Sequence, residues 1–209
     1  MGERALPRGE TPTLVRANYT GKGRVGPSQG HVALAGGEVG LARVPEDVRL
    51  VQVTSDDLEL LRQIARLSLV AWRREPSACE IETRAETLRR ELEDSRPDER
   101  AAFAARRSGV TVGFVKTCRG EREHGTWLLV SLAVHPEYRR QGIGRALVGE
   151  AIRHACENGA VEVRSQTHAD NEAAIRFHEA LGFTNEGPVV GADGDALVAF
   201  RLATIQAAQ

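Results

Sequence analysis

Residues 130–148 read VSLAVHPEYRRQGIGRALV, and the fold turns on this stretch. Its first part completes the run TWLLVSLAV at 126–134, almost uninterrupted in apolar character, the pattern of a strand buried on both faces. His135-Pro136 ends that strand, because proline has no N–H to give to a ladder. Further on, Leu147, Val148, Ala151, Ile152 and Ala155 recur at helical spacing, so a helix is expected over 142–158. Asn158-Gly159 supplies its C-cap chemistry. Between strand and helix lies Arg139-Arg140-Gln141-Gly142-Ile143-Gly144, followed by Arg145. Glycines at a helix start let the chain turn sharply and let backbone N–H groups approach a ligand. The first turn of a helix has unpaired N–H donors and a partial positive charge. With three arginines beside it, the segment is a candidate pyrophosphate cradle. It is not a dinucleotide fingerprint, since Leu147 stands where the third glycine belongs, and no Gly-Lys-Ser/Thr of a P-loop follows.

The pattern outside this stretch alternates strands and helices. VRLVQV at 48–53 alternates like a strand, and Thr54-Ser55-Asp56-Asp57 then offers side-chain oxygens to cap a helix. Leu60, Leu61, Ile64, Leu67 and Ala71 follow on one helical face; Ile81, Ala85, Leu88 and Leu92 mark a second helix, with Glu86 and Arg90 as an i,i+4 pair. Residues 101–106 and 110–117, joined by Ser108-Gly109, predict a hairpin. Strands are expected at 161–165 and 196–202, with a short helix at 171–181 between them. The fold class is α/β: a mixed central sheet with helices on both faces.

The chain divides near residue 45. Nine of its 21 glycines lie in the first 40 residues, so 1–45 reads as a Gly-rich extension, flexible or hairpin-forming around Gly36-Gly37. Residues 46–209 form the expected domain. A net charge of −1 from 28 basic and 29 acidic side chains gives no electrostatic reason to expect a nucleic-acid partner. No apolar run nears the roughly 20 residues that span a bilayer, and MGERALPRGETP lacks a signal-peptide core, so no membrane partner and a cytoplasmic location are expected. Cys79, Cys118 and Cys156 are an odd, scattered set, read as idle thiols, and no metal site is expected.

The 130–148 segment resembles the acyl-CoA-binding motif of the GCN5-related N-acetyltransferases (GNAT), with Arg139, Gly142 and Gly144 in the motif positions and Val134-His135-Pro136 at the strand end. NEAAIRFHEALGF at 171–183 resembles the family's next motif, in the right order and spacing. The resemblance covers about 48–202 and implies a mixed, mostly antiparallel central sheet flanked by helices on both faces, acetyl-CoA as co-substrate and transfer of its acetyl group to a primary amine by direct attack in a ternary complex.

By the same resemblance, the backbone of Leu132, Ala133 and Val134 pairs with the pantetheine arm, and the Val134 N–H is the oxyanion donor. The N–H groups of Arg140, Gln141, Gly142, Ile143, Gly144 and Arg145 hold the pyrophosphate, with Arg139, Arg140 and Arg145 as charge partners. Asn171 contacts the pantetheine region, caps a helix, or does both. The family commonly has Tyr where this chain has His178; a histidine there is a candidate general acid. No general base stands out among Glu80, Glu82, Glu121, Glu123, His124, His135 and Glu137. An ending like that at 178–183, an Asp170-Asn171 pair and Trp72 are also similar to an aminoglycoside 6'-N-acetyltransferase subgroup. Antibiotic modification and a non-catalytic acyl-CoA-binding module therefore remain alternatives. A homodimer is an assembly the resemblance allows.

Overall fold

The computed structural model describes residues 32–34, 37–39, 44–70, 75–120 and 124–204. Trp72, Ala71, Glu121 and Glu123 lie outside them. In the N-terminal region, β1 (Val32–Leu34) and β2 (Gly37–Val39) pair antiparallel, with Val32 opposite Val39. This hairpin forms a two-stranded sheet of its own and does not extend the main one.

The main sheet has seven strands: β3 (Val48–Gln52), β4 (Arg100–Arg107), β5 (Val110–Arg119), β6 (Thr126–Val134), β7 (Glu162–His168), β8 (Thr184–Val190) and β9 (Ala196–Ala203). Their spatial order is β3-β4-β5-β6-β7-β9-β8. Every neighbouring pair is antiparallel except β6 and β7. The parallel pair needs a crossover, and helix α3 (Ile143–Glu157) supplies it.

Strand β4 shows how the sheet is covered on both sides. Its side chains alternate faces. Ala102 and Ala104 pack with α1 (Leu58–Val70) and α2 (Ala78–Glu93) through Leu60, Leu61, Ile64 and Leu88. Ala101, Phe103 and Ala105 pack with Ile143, Leu147 and Ala151 of α3 on the other side. A third cluster joins α3 to the end of α4 (Glu172–Ala180) through Trp127, Val148, Ile152, Leu181, Phe183 and Phe200. Caps fix where the helices begin. Asp57 Oδ1 accepts the N–H of Leu60 at 3.0 Å, and Ser77 with Glu80 forms a reciprocal capping box at the start of α2.

One reading of the sequence needs correcting. Strand β6 is mostly apolar but is not buried on both faces: Val130 is 48% exposed and Leu132 is 37% exposed. The strand loses a neighbour partway along, and that loss makes the site.

Candidate active site

Strands β6 and β7 pair only over 126–129 with 162–165, ending at Leu129 opposite Ser165. Strand β6 continues beside β5 as far as Val134. From Val130 onward the two parallel strands part, leaving a fork. A bulge sits at its apex. Lys116 faces Ser131 and Thr117 faces Leu129, so Val130 is the extra residue with no partner.

The phase of the ladder decides which backbone groups face the fork. The His135 N–H donates to the Val112 carbonyl at 2.9 Å. Hydrogen-bonded pairs alternate with non-bonded ones in an antiparallel ladder, so Ala133 exchanges its bonds with Phe114. Leu132 and Val134 then turn their N–H and C=O groups away from β5. The Val134 carbonyl confirms the phase, since it accepts from Arg139 Nε at 3.1 Å instead of from β5. The structure thus brings Leu132 and Val134 to the vacant edge. Ala133 is a correction: its backbone groups are committed to β5.

Beyond the strand, Pro136–Tyr138 forms one 3-10 turn and α3 begins at Ile143. Arg140 and Gly142 both take left-handed conformations, at φ 62° and 81°. Such residues bend successive N–H groups inward around an anion-sized hollow. The first bond along α3 runs from the Ala146 N–H to the Gly142 carbonyl at 3.0 Å. Among the described residues, the six N–H groups of 140–145 have no acceptor. The flanking side chains brace this loop. Gln141 Nε2 donates to the Glu137 carbonyl at 3.2 Å, and Arg145 Nη2 donates to the Ala180 carbonyl at 3.0 Å. Arg139 holds the end of β6, as above. Arg139 and Arg145 therefore each spend a donor on backbone, and Arg140 makes no side-chain hydrogen bond among the described residues.

Gly113 of β5 is a contributor the sequence did not reveal. A β-carbon there would lie 3.0 Å from Leu147 Cδ1 and 3.2 Å from the Ala133 oxygen. Its absence lets the start of α3 sit close against the sheet, next to the fork.

Asn171 caps α4, with Oδ1 accepting the Ala174 N–H at 3.1 Å. Among the described residues its side-chain NH2 meets no acceptor. His178 is 7% exposed, with Nδ1 at 2.7 Å from the Ala174 carbonyl and Nε2 at 2.9 Å from Ser165 Oγ. Its ring stacks on Phe200 at 4.5 Å. Burial is the main cause holding its pKa below the usual imidazole value, partly offset by the Ala174 carbonyl. Direct protonation of a leaving group by His178 does not fit this placement, because both ring nitrogens are engaged inside the core.

The candidate bases are not drawn together. Glu80 is held by its capping box, and Glu82 pairs with Arg62 at 2.7 Å on the surface. His135 packs edge-on against Tyr138. Among the described residues, no group of three or more His, Cys, Asp or Glu is placed to hold a metal, and no helix is long and apolar enough to cross a membrane.

Comparison with known proteins bears on this geometry. The family model described as "Acetyltransferase (GNAT) family" matches residues 64–183, more than half of the chain. The [ribosomal protein bS18]-alanine N-acetyltransferase of Escherichia coli strain K12 is 41% identical over 61 residues, covering 29% of this chain and 40% of that protein. N-alpha-acetyltransferase 30 of Schizosaccharomyces pombe is 39% identical over 69 residues, covering 32% of this chain and 46% of that one. The matches thus span less than half the length of either curated relative. A crystal structure of aminoglycoside 6'-N-acetyltransferase complexed with coenzyme A superposes with a TM-score of 0.61 at 19% identity, covering 77% of this chain and 99% of that one, a likeness of fold.

Proposed function

Since the chain belongs to the acetyltransferase (GNAT) family, we propose that it moves the acetyl group of acetyl-CoA onto a primary amine by direct attack within a ternary complex. The observation that carries this reading is the vacant edge of β6 running straight into a loop of unpaired N–H groups. A pantetheine arm has amides suited to the first, and a pyrophosphate has charge suited to the second.

Bound acetyl-CoA supplies the activated acyl group and a thiolate leaving group. The chain's own residues hold and polarise. Leu132 and Val134 offer the backbone groups that pair with the arm. The N–H groups of 140–145 take the pyrophosphate, with Arg139, Arg140 and Arg145 adding charge from their remaining donors. The Asn171 amide faces the arm from α4. The Val134 N–H, or that of Leu132 two residues nearer the apex, polarises the thioester oxygen. Holding both reactants in the fork supplies much of the rate. No cysteine takes part; burial raises the Cys156 thiol pKa, which works against a thiolate nucleophile. The reaction is placed in the cytoplasm, with the chain acting alone or as a homodimer.

The two curated relatives are named for acetylating an alanine of a ribosomal protein and as an N-alpha-acetyltransferase, and the structural neighbour for an aminoglycoside. These set the test. Thiol release from acetyl-CoA is followed with kanamycin, spermidine, free amino acids and a hexapeptide with amino-terminal alanine, alongside melting with CoA. Thiol release with one amine class is expected and names the acceptor. A CoA-induced rise in Tm with no turnover on any amine would move the chain to the non-catalytic acyl-CoA-binding reading. No rise at all would refute the site.

A further inference from the structure

Acetyl transfer to an amine has a proton to move, and Ser165 and His178 stand where the fork opens. Ser165 is the last residue of β7 opposite β6. Its side chain, 8% exposed, lies on the α4 side of the sheet, with Oγ 2.9 Å from His178 Nε2. A carbonyl only accepts, so the 2.7 Å contact with Ala174 requires Nδ1 to carry a hydrogen. In the neutral ring Nε2 is then bare, and Ser165 donates its O–H to it. The lone pairs of Oγ remain to accept. The ring is fixed by Phe200 on its face and by edge contacts with Phe183 at 5.4 Å and Phe177 at 6.1 Å. Burial keeps the ring neutral at rest, which keeps Nε2 an acceptor.

We propose that Ser165 and His178 form a proton relay at the apex of the fork, with Ser165, the last β7 residue opposite β6, exchanging protons with the reactants and His178 the positioning residue behind it. This rests on the acetyl-transfer reading above, with the Leu132 N–H, the donor nearer the apex, polarising the thioester, because Val134 lies five residues along β6 from the Ser165 level. The acceptor sheds its ammonium proton to solvent before attack. As its nitrogen bonds the acetyl carbon, an N–H proton passes to Ser165 Oγ while the serine's own proton passes to Nε2. As the C–S bond breaks, the proton returns from Nε2 to Oγ, and Oγ gives its other proton to the thiolate. The products are an amide and a free thiol, and the ring ends neutral as it began. The relay explains how a histidine that does not face the fork can serve the reaction there.

Ser165→Thr and Ser165→Val are the decisive pair, since they place nearly the same shape on β7 and differ in the hydroxyl. They are assayed with acetyl-CoA and whichever of kanamycin, spermidine or the alanine-terminated hexapeptide the wild type uses fastest. Ser165→Val is expected to lower kcat by about a hundredfold, the usual worth of positioned acid–base catalysis, with an unchanged CoA-induced rise in Tm. Ser165→Thr is expected to restore most of kcat. His178→Phe should match Ser165→Val, and the Ser165→Val/His178→Phe double variant should be no slower than either single change, because the two act as one unit. Equal kcat for the Thr and Val variants, or losses that multiply in the double variant, would overturn the relay while leaving acetyl transfer intact. A wild type that releases no thiol with any amine would overturn both. If His178→Phe does not fold, the Thr and Val pair still decides.

Discussion

Replacing Gly142 by proline attacks the phosphate cradle at its hinge. Gly142 holds φ at 81°, and proline is confined near about −65°, so the chain must swing by about 145° there. The swing redirects the Ile143 N–H, and the substitution deletes the Gly142 N–H. A hydrogen bond to a charged group is worth about 1.5–3 kcal/mol, so losing two costs about 3–6 kcal/mol, or about 10²- to 10⁴-fold in affinity. The fold should survive, because α3 is anchored beyond the loop by Leu147, Val148, Ala151 and Ile152. Strain of about 1–2 kcal/mol would lower Tm by several degrees. Calorimetric titration with CoA and, separately, with pantetheine isolates the cradle, because pantetheine has the arm without the pyrophosphate. At least a hundredfold loss for CoA with little change for pantetheine is expected. A cooperatively melting Gly142→Pro variant with wild-type CoA affinity would refute the reasoning, as would equal losses for both ligands.

Gly144→Glu should weaken CoA binding with little loss of Tm: a β-carbon there meets Phe177 Cζ at an ordinary 3.4 Å, and a carboxylate in the first turn suits the helix dipole while repelling phosphate. Burial holds both His154 and His178 below the usual imidazole pKa, so the unfolded chain binds more protons once pH falls through about 6.5. Stability is therefore present above that value and lost below it, by up to about 1.4 kcal/mol per pH unit for each ring. A Tm that does not fall between pH 7.5 and 5.5 would contradict this. Serine at Cys79, Cys118 and Cys156, changed one at a time, should leave turnover in the thiol-release assay largely intact, and abolished turnover in any one folded variant would point to a covalent intermediate. Trp127→Ala should cost about 3–5 kcal/mol in denaturant unfolding, since the ring is fully buried between sheet and α3.

The sequence carried most of the frame because local physics wrote it there. The apolar run to Val134, the proline stop and the spacing of Leu147, Ala151 and Ala155 each have one plain structural meaning. Strand β8 escaped notice because TNEGPVV contains Gly187 and Pro188, which an edge strand tolerates and a central one does not. The fork was illegible for a different reason. An apolar residue such as Val130 looks the same in sequence whether a neighbouring strand covers it or nothing does. The bulge that exposes it depends on register against β5. His178 shows a further limit. Its position at the end of a motif suggested direct acid chemistry, but its orientation is set by Ala174 one turn back and by Ser165 on another strand. Asn171 carried its cap signal in plain view, since Asn at a helix start has that meaning whatever else it does.

Titration of the ¹⁵N-labelled chain with acetyl-CoA, read amide by amide, tests the central claim most directly. The largest shifts are expected at the amides of residues 140–145 and at Leu132 and Val134, with a smaller change at Ala133, whose N–H is held by β5. Shifts confined to other parts of the sheet, or none at millimolar acetyl-CoA, would contradict the assignment of fork and cradle as the acetyl-CoA site.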